Sequence, residues 1–375
     1  MPSTAAAVLA PRRRLSRRLL GSSLAEALAT PHGVDRYLEL VRPSWSLREV
    51  RAEIEDVRHS TPDTVTLGLR PNANWRGFRA GQYVRVGVEI DGVRRTRCYS
   101  LAGSQHAGPE RIEISVKAHA DGLVSRFLKD RAEPGMVLGL SEADGDFVLP
   151  DAGAPDRLLL ISGGSGITPV MSLLRTLLHE DHTGPITFLH YARGEQDVPY
   201  AEELAAIAVR HPNVRVALGC TGPEGGGELR GRFSLRHVLA VEPEFWAAET
   251  YVCGPAGLID TVRCRWAEQE LEQRLHVERF TAPVNAVPPG EARGSVSFAR
   301  SGETALSDGR PLLEQAEAAG LSPEFGCRMG ICHSCTAHKQ AGCVRNVVTG
   351  GISGADEEDI QLCVSVPVGD VVLDL

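Results

Sequence analysis

From residue 49 to about 150, apolar and polar positions alternate in short runs: REVRAEIEDVRH, DTVTLGLR, QYVRVGVEI, RIEISVKA and MVLGL. A period of two, broken by Gly and Pro, predicts an antiparallel sheet or small β-barrel. The period changes at Arg157. RLLLISGG is a continuous apolar strand, and TPVMSLLRTLLHE has helical spacing. PITFLHYA, VRVALGCT and TYVCGP read as further buried strands with helical stretches between them. That alternation predicts an α/β doubly wound domain on a parallel sheet. After Phe280, TAPVNAVPPGEAR carries Pro283, Pro288 and Pro289 and reads as a stiffened linker. The expected organisation is a helical basic extension over 1–48, a barrel over 49–152, an α/β domain over 153–281, a linker over 282–292 and a small third unit over 293–375.

A chain of 375 residues has the length for such a multidomain protein. Its net charge of −8 argues against nucleic acid as a partner. No run of 18 apolar residues is present, so no membrane-spanning helix is expected. The start is different: Arg12, Arg13, Arg14, Arg17 and Arg18 precede the first acid, Glu26. LSRRLLGSS faintly resembles a twin-arginine signal, but no clean apolar stretch follows, and the expectation is a cytoplasmic protein without a signal peptide. The basic segment reads either as a solvated helix or as a peripheral contact with an acidic membrane surface at the inner face.

Nine cysteines are too few for a disulfide scaffold in a chain of this length. Three of them cluster in EFGCRMGICHSCTA, as Cys327, Cys332 and Cys335, and Cys363 follows with 27 residues between it and Cys335. C-x4-C-x2-C…C is the plant-type [2Fe–2S] spacing, in which four thiolates hold two irons. Gly326 and Gly330 let the backbone bend closely around such a cluster. The alternative is a four-cysteine zinc site, which ordinarily shows two paired clips where this chain has one. A Rieske centre needs two Cys–His pairs that are not here. His333 reads as outer shell or filler, and Cys343 as structural.

Other short stretches have the chemistry to hold a dinucleotide or a flat ring. RCYS, Arg97 to Ser100, offers a cation for phosphate and a Tyr to stack on a ring. GLVS, Gly122 to Ser125, opens a helix whose first amides and Ser hydroxyl suit an anion. In ISGGSGITPV, the strand ends at Ser162, and Gly163, Gly164 and Gly166 form a tight turn. Thr168 is expected to cap the next helix, with Pro169 at its first position. CGP, Cys253 to Pro255, ends another strand at the carboxyl edge, where open α/β sheets bind ligands. Arg193 follows the second strand of this domain. It suits a ribose 2′-phosphate, although Glu195 and Asp197 stand close by. The reading leans to NADPH over NADH.

RxYS, GxxS, the Gly-rich turn and CGP together resemble the ferredoxin–NADP reductase superfamily. The tail, with GRPLLEQAEAAG as its helix, resembles the plant-type ferredoxin family. The resemblance covers residues 49–375. It implies a six-stranded antiparallel β-barrel for FAD, an α/β nicotinamide domain and an α+β β-grasp ferredoxin domain. It implies that Arg97 and Ser125 meet the flavin pyrophosphate, and that Tyr99 and Ser100 meet the isoalloxazine. Val116, Gly122, Leu123 and Val124 would supply backbone contacts. The turn Gly163–Pro169 and Cys253, Gly254 and Pro255 would border the nicotinamide, with Cys253, Thr168 and Glu278 near hydride transfer. HVERF would be the terminal strand, with Glu278 and Phe280 beside the flavin.

The function implied is an NAD(P)H-dependent oxidoreductase that passes electrons through FAD and a [2Fe–2S] cluster to another protein. No terminal catalyst is recognisable in the chain, so a separate oxygenase or desaturase is expected. The N-terminal extension HGVDRYLELVRPSWSLREVRAEI resembles that of reductases serving membrane fatty-acyl desaturases, which makes a membrane-bound partner the first expectation. A reductase of a ring-hydroxylating dioxygenase or other soluble monooxygenase is the alternative. A redox-sensing interaction protein is a second, of another class.

Overall fold

The structure is a computed structural model that describes residues 30, 33–120, 122–223, 227–280, 294–326, 328, 330 and 333–375. The arginine-rich start, the expected linker, Cys327 and Cys332 lie outside the described residues. So does the membrane contact expected of the basic segment. Among the described residues no helix is long and apolar enough to cross a membrane. The chain divides into two compact units. The first holds the described residues up to 93, with 99–154 and 171–182; the second holds 94–98, 155–170 and 183–375.

The first described helix, α1 (Gly33–Val41), is tied to the segment ahead of the barrel. Asp35 Oδ1 accepts from the Leu47 amide at 2.6 Å, and Oδ2 from Ser46 Oγ at 3.1 Å. Six strands then form one sheet: β1 (Val50–Thr61), β2 (Thr64–Pro71), β3 (Tyr83–Ile90), β4 (Val93–Ser100), β5 (Ile112–Lys117) and β6 (Val137–Leu140). Their order is β4-β3-β6-β1-β2-β5. The pairings of β1 with β2, β1 with β6, β2 with β5 and β3 with β6 are antiparallel. An antiparallel bridge from Leu101, just past β4, to Ile114 of β5 brings the two ends of that order together. Alternation then has one consequence: the inward positions Ile54, Leu67, Val86, Ile114 and Leu138 fill a single core. Helix α2 (Leu123–Arg131) adds Val124 and Leu128 to it.

The second sheet contains β7 (Leu158–Gly163), β8 (Ile186–Ala192), β9 (Val214–Cys220), β10 (Leu229–Arg230), β11 (Glu249–Cys253) and β12 (Leu275–Glu278). All its pairings are parallel, in the order β10-β9-β8-β7-β11-β12. β7 and β8 are buried along their whole length, which explains their uninterrupted apolar runs. The order reverses between β7 and β11, so the carboxyl ends of these two strands mark the switch point where open sheets hold ligands. Helices α3 (Ile167–His179), α4 (Ala201–Arg210), α5 (Leu235–Val241) and α6 (Ala256–Glu268) connect the strands. Trp266 of α6 is fully buried against Phe233 and Phe245, with ring centroids 6.5 and 5.5 Å away.

The third sheet, β14-β13-β17-β15-β16, is mixed. Its strands are β13 (Ser295–Phe298), β14 (Glu303–Leu306), β15 (Thr336–Asn346), β16 (Glu358–Gln361) and β17 (Ser365–Leu373). β13 and β17 run parallel and the other pairs antiparallel. Helix α7 (Leu312–Ala318) packs Leu312, Leu313 and Ala316 on Phe298, Val364 and Val371. Lys339 on β15 is fully buried, and its ammonium donates to the Gly354 carbonyl at 3.0 Å and to the Asp356 carbonyl. Lys339→Met would strand both carbonyls. The expected cost is about 1–3 kcal/mol, read as a lower urea midpoint with an unchanged slope.

Candidate functional site

The switch point of the second sheet is built from two turns that touch. β7 and β11 run in register, with Cys253 opposite Ser162, so Gly163–Gly166 and Cys253–Pro255 leave the sheet side by side. The approach is close. A Cβ on Gly166 would lie 2.2 Å from the Cys253 carbonyl oxygen, and one on Gly163 would lie 2.8 Å from Leu258 Cδ2. Gly164 differs: its φ is +53°, and nothing lies within 4 Å of the place a Cβ would take. The turn is therefore packed from behind and bare at its tip.

The helix after this turn starts differently from the sequence expectation. Gly164–Gly166 is a 3₁₀ turn that runs straight into α3 at Ile167. Thr168 and Pro169 are thus inside the first turn, and Thr168 is not the cap. Pro169 has no N–H to give the Ser165 carbonyl, and Thr168 Oγ1 donates to that carbonyl instead, at 3.1 Å. Thr168 is buried, at 3% exposure.

Cys253 is fully buried and stands in register with Glu278 on the neighbouring β12. Burial pushes its thiol pKa well above the ordinary value, and the Glu278 carboxylate pushes the same way. The group is a neutral thiol, not a nucleophile. HVERF is a strand only to Glu278; Phe280 lies two residues beyond its end. Two residues before Glu278 on β12, His276 stacks on Tyr251 of β11 at 4.3 Å, and its Nε2 is 3.0 Å from Glu249 Oε2. Arg193, just past β8, is exposed, and its guanidinium is 3.3 Å from Asp197 Oδ1.

In the barrel, Val116 and Val124 face the core, while Leu123 is exposed. Gly122 is the N-cap of α2, and a Cβ there would lie 2.3 Å from Ser125 Oγ. Ser125 is buried; its hydroxyl accepts from the His119 amide at 3.3 Å and donates to the Gly122 carbonyl at 3.1 Å. The amides of Leu123, Val124 and Ser125 belong to a first helical turn, which has no intrahelical acceptor for them. Tyr99 packs against the barrel core from β4, and Ser100 beside it is buried. Arg97, on the same strand, belongs to the second unit, and its NH1 donates to the Thr96 carbonyl at 2.8 Å. Its guanidinium lies 4.4 Å over the ring of Phe325, which it shares with Arg328 at 3.9 Å. This aromatic partner of Arg97 was not part of the sequence reading.

Two of the four expected cluster ligands are described, and both are buried: Cys335 and Cys363. Each sulfur accepts a backbone amide. Gly330 N donates to Cys363 Sγ at 3.3 Å, and Cys363 N donates to Cys335 Sγ at 3.5 Å. Around them the loop adopts the left-handed region at two non-glycine residues, Arg328 (φ +56°) and His333 (φ +55°). Such strain is held where surrounding structure over-determines it. Arg328 is pinned by an ion pair to Glu317 of α7.

Three family descriptions match successive stretches of the chain. They are an oxidoreductase FAD-binding domain over residues 51–148, an oxidoreductase NAD-binding domain over 160–264 and a 2Fe-2S iron-sulfur cluster binding domain over 298–368. The chain is also 38% identical over 356 residues to an NADPH oxidoreductase of Mycobacterium tuberculosis, covering 94% of this chain and 91% of that protein. The chain belongs to the ferredoxin–NADP reductase superfamily. Within that superfamily it is an NAD(P)H oxidoreductase with FAD and [2Fe–2S] domains, and the zinc alternative is set aside. It is 33% identical to the glycine betaine monooxygenase reductase subunit of Pseudomonas aeruginosa, over 79% of this chain and 87% of that one. Among solved structures, phthalate dioxygenase reductase matches with a TM-score of 0.59 at 25% identity, over 87% of this chain and 97% of that one.

The residues present fit the groups this superfamily carries. Two buried sulfurs that accept amide hydrogens suit thiolate ligands of an electron-rich cluster. A bare glycine tip at a parallel-sheet switch point suits a dinucleotide. The sequence reading missed the contacts of Phe325 with Arg97 and of Arg328 with Glu317, because no local pattern marks a pair whose partners are far apart in sequence.

Proposed function

We propose that this reductase takes electrons from NADPH and delivers them singly to a separate terminal oxygenase. Bound FAD supplies the split of a hydride pair into single electrons, and the cluster supplies onward transfer at plant-type potentials of roughly −400 mV. The chain's residues do the rest. Arg97, Tyr99, Ser100 and the start of α2, from Gly122 to Ser125, hold the flavin. Gly163, Gly164, Gly166, Gly254 and Pro255 hold the coenzyme by backbone. Cys253 walls the hydride-transfer position as a neutral thiol, with Thr168, Glu278 and Phe280 beside it. Cys327, Cys332, Cys335 and Cys363 ligate the cluster.

The observation that carries the reading is the register of β7 on β11, which joins the two coenzyme turns in a chain that also buries two amide-bonded cysteine sulfurs. The names of the relatives support an oxygenase partner. They give no support to the fatty-acyl desaturase expected from the N-terminal extension, so the oxygenase replaces it here. The test is reconstitution. Purified protein with NADPH should drive product formation by a soluble Rieske-type or di-iron oxygenase component. Activity only with a membrane desaturase would overturn the oxygenase reading.

The preference for NADPH rests on Arg193 and agrees with the name of the M. tuberculosis relative. One charge-assisted contact to a 2′-phosphate is worth about 1.5–3 kcal/mol. Arg193→Ala should therefore raise KM for NADPH by about tenfold or more and leave KM for NADH little changed. Equal effects on both coenzymes would remove Arg193 from this role.

A further inference from the structure

Cys363 sits in a short turn held by backbone hydrogen bonds. Leu362 N donates to the Cys335 carbonyl, Val364 N to the Gln361 carbonyl, and Val347 N to the Val364 carbonyl. The side chain of Gln361 reaches the other way. Its Nε2 donates to the Gly330 carbonyl at 2.8 Å. Gly330 is the residue whose N–H donates to Cys363 Sγ. One side chain therefore holds by its carbonyl the glycine that serves the sulfur by its amide.

Gly330 needs such a hold. Its φ is +77°, and a Cβ would lie 2.9 and 3.0 Å from the two methyls of Val364, so only glycine fits. Glycine is also the residue with the most backbone freedom to lose. Without an anchor, rotation about φ and ψ of Gly330 would let the amide swing off the sulfur. Gln361 is itself fixed, at the end of β16 opposite Thr336 and by its carbonyl in the turn.

An N–H aimed at a ligating sulfur stabilises the extra negative charge of the reduced cluster more than the oxidised form, and so raises the potential. We propose that Gln361 is a positioning residue that sets the reduction potential of the iron–sulfur cluster by holding the Gly330 amide on Cys363 Sγ. The inference rests on the reading of Cys363 as a ligand.

The test is Gln361→Met in the full-length protein loaded with FAD and iron. Midpoint potentials come from a dye-mediated titration followed by EPR, and iron content is measured on the same samples. The expected result is a normal iron content and a lower potential. The one-electron equilibrium should shift by about tenfold toward the oxidised cluster, which is about 59 mV. Resonance Raman should agree: the D2O shift of the Fe–S(Cys) bands should shrink by the contribution of Cys363 Sγ, while the part that comes from the Cys363 amide on Cys335 Sγ persists. An unchanged potential with full iron content would overturn the proposal. If Gln361→Met fails to hold iron, Gln361→Asn, one methylene too short to reach, is measured by the same criteria. Loss of iron from both variants would also overturn it, since Gln361 would then only support assembly. Native protein that binds no iron would sink the ligand reading itself, whatever Gln361 does.

Discussion

Cys363→Ser abolishes the cluster's visible absorption and the NADPH-dependent reduction of cytochrome c, while NADPH oxidation through the flavin to ferricyanide continues. Cys363 is 4% exposed, and its sulfur already accepts the Gly330 amide, so it is a buried thiol suited to the proposed ligand role and not a surface one. A serine oxygen is harder and holds iron poorly in a thiolate site. The barrel and the coenzyme turns have cores of their own, so the flavin route should survive. The check is a pair of steady-state assays on one preparation, with FAD and iron contents measured alongside. Loss of ferricyanide reduction at full FAD content would mean that the two centres do not work as separable modules.

The second large effect comes from a single methyl group. Gly166→Ala would put a Cβ 2.2 Å from the Cys253 oxygen and 2.6 Å from the Gly254 nitrogen. Both are backbone atoms, so no rotamer change relieves the clash, and the two coenzyme turns must move apart. Overpacking of this kind costs about 1–3 kcal/mol. The kinetic effect should be larger than the stability effect, because misplacing reacting groups by about 1 Å costs about 100-fold in rate. Anaerobic stopped-flow measurement of flavin reduction by NADPH should show that loss with FAD content unchanged. Gly164→Ala is the contrast. That position is open, so its penalty is the left-handed backbone alone, about 1–2 kcal/mol. If Gly166→Ala reduced its flavin at the native rate, the contact between the two turns would not be what positions the coenzyme.

Much of this was legible because it is local. The apolar run of β7 and the alternation of β1 follow from burial on two faces or one. The glycines of ISGGSGITPV announced a tight turn, and the spacing of four cysteines announced a cluster. The start of α3 was misread, because capping statistics place Thr before Pro at a helix boundary. Here a 3₁₀ turn had already begun the helix, and Thr168 filled the bond that Pro169 cannot make. Gln361 and Phe325 were invisible for a different reason. A Gln at a strand end and a Phe in a loop look like filler until the fold brings Gly330 to one and two guanidinium groups to the other. The neutral state of Cys253 was likewise out of reach, because it depends on a burial that only the packed sheet creates.

The central claim is that one chain carries electrons from a nicotinamide through a flavin to an iron–sulfur cluster. An anaerobic titration of the purified holoprotein with NADPH, followed by absorbance and EPR, tests it most directly. The flavin band should bleach together with absorbance across the visible, and the EPR signal of a reduced [2Fe–2S] centre should appear. Flavin bleaching without an iron–sulfur signal, in protein reconstituted with iron and sulfide, would contradict it and leave a simple flavin reductase.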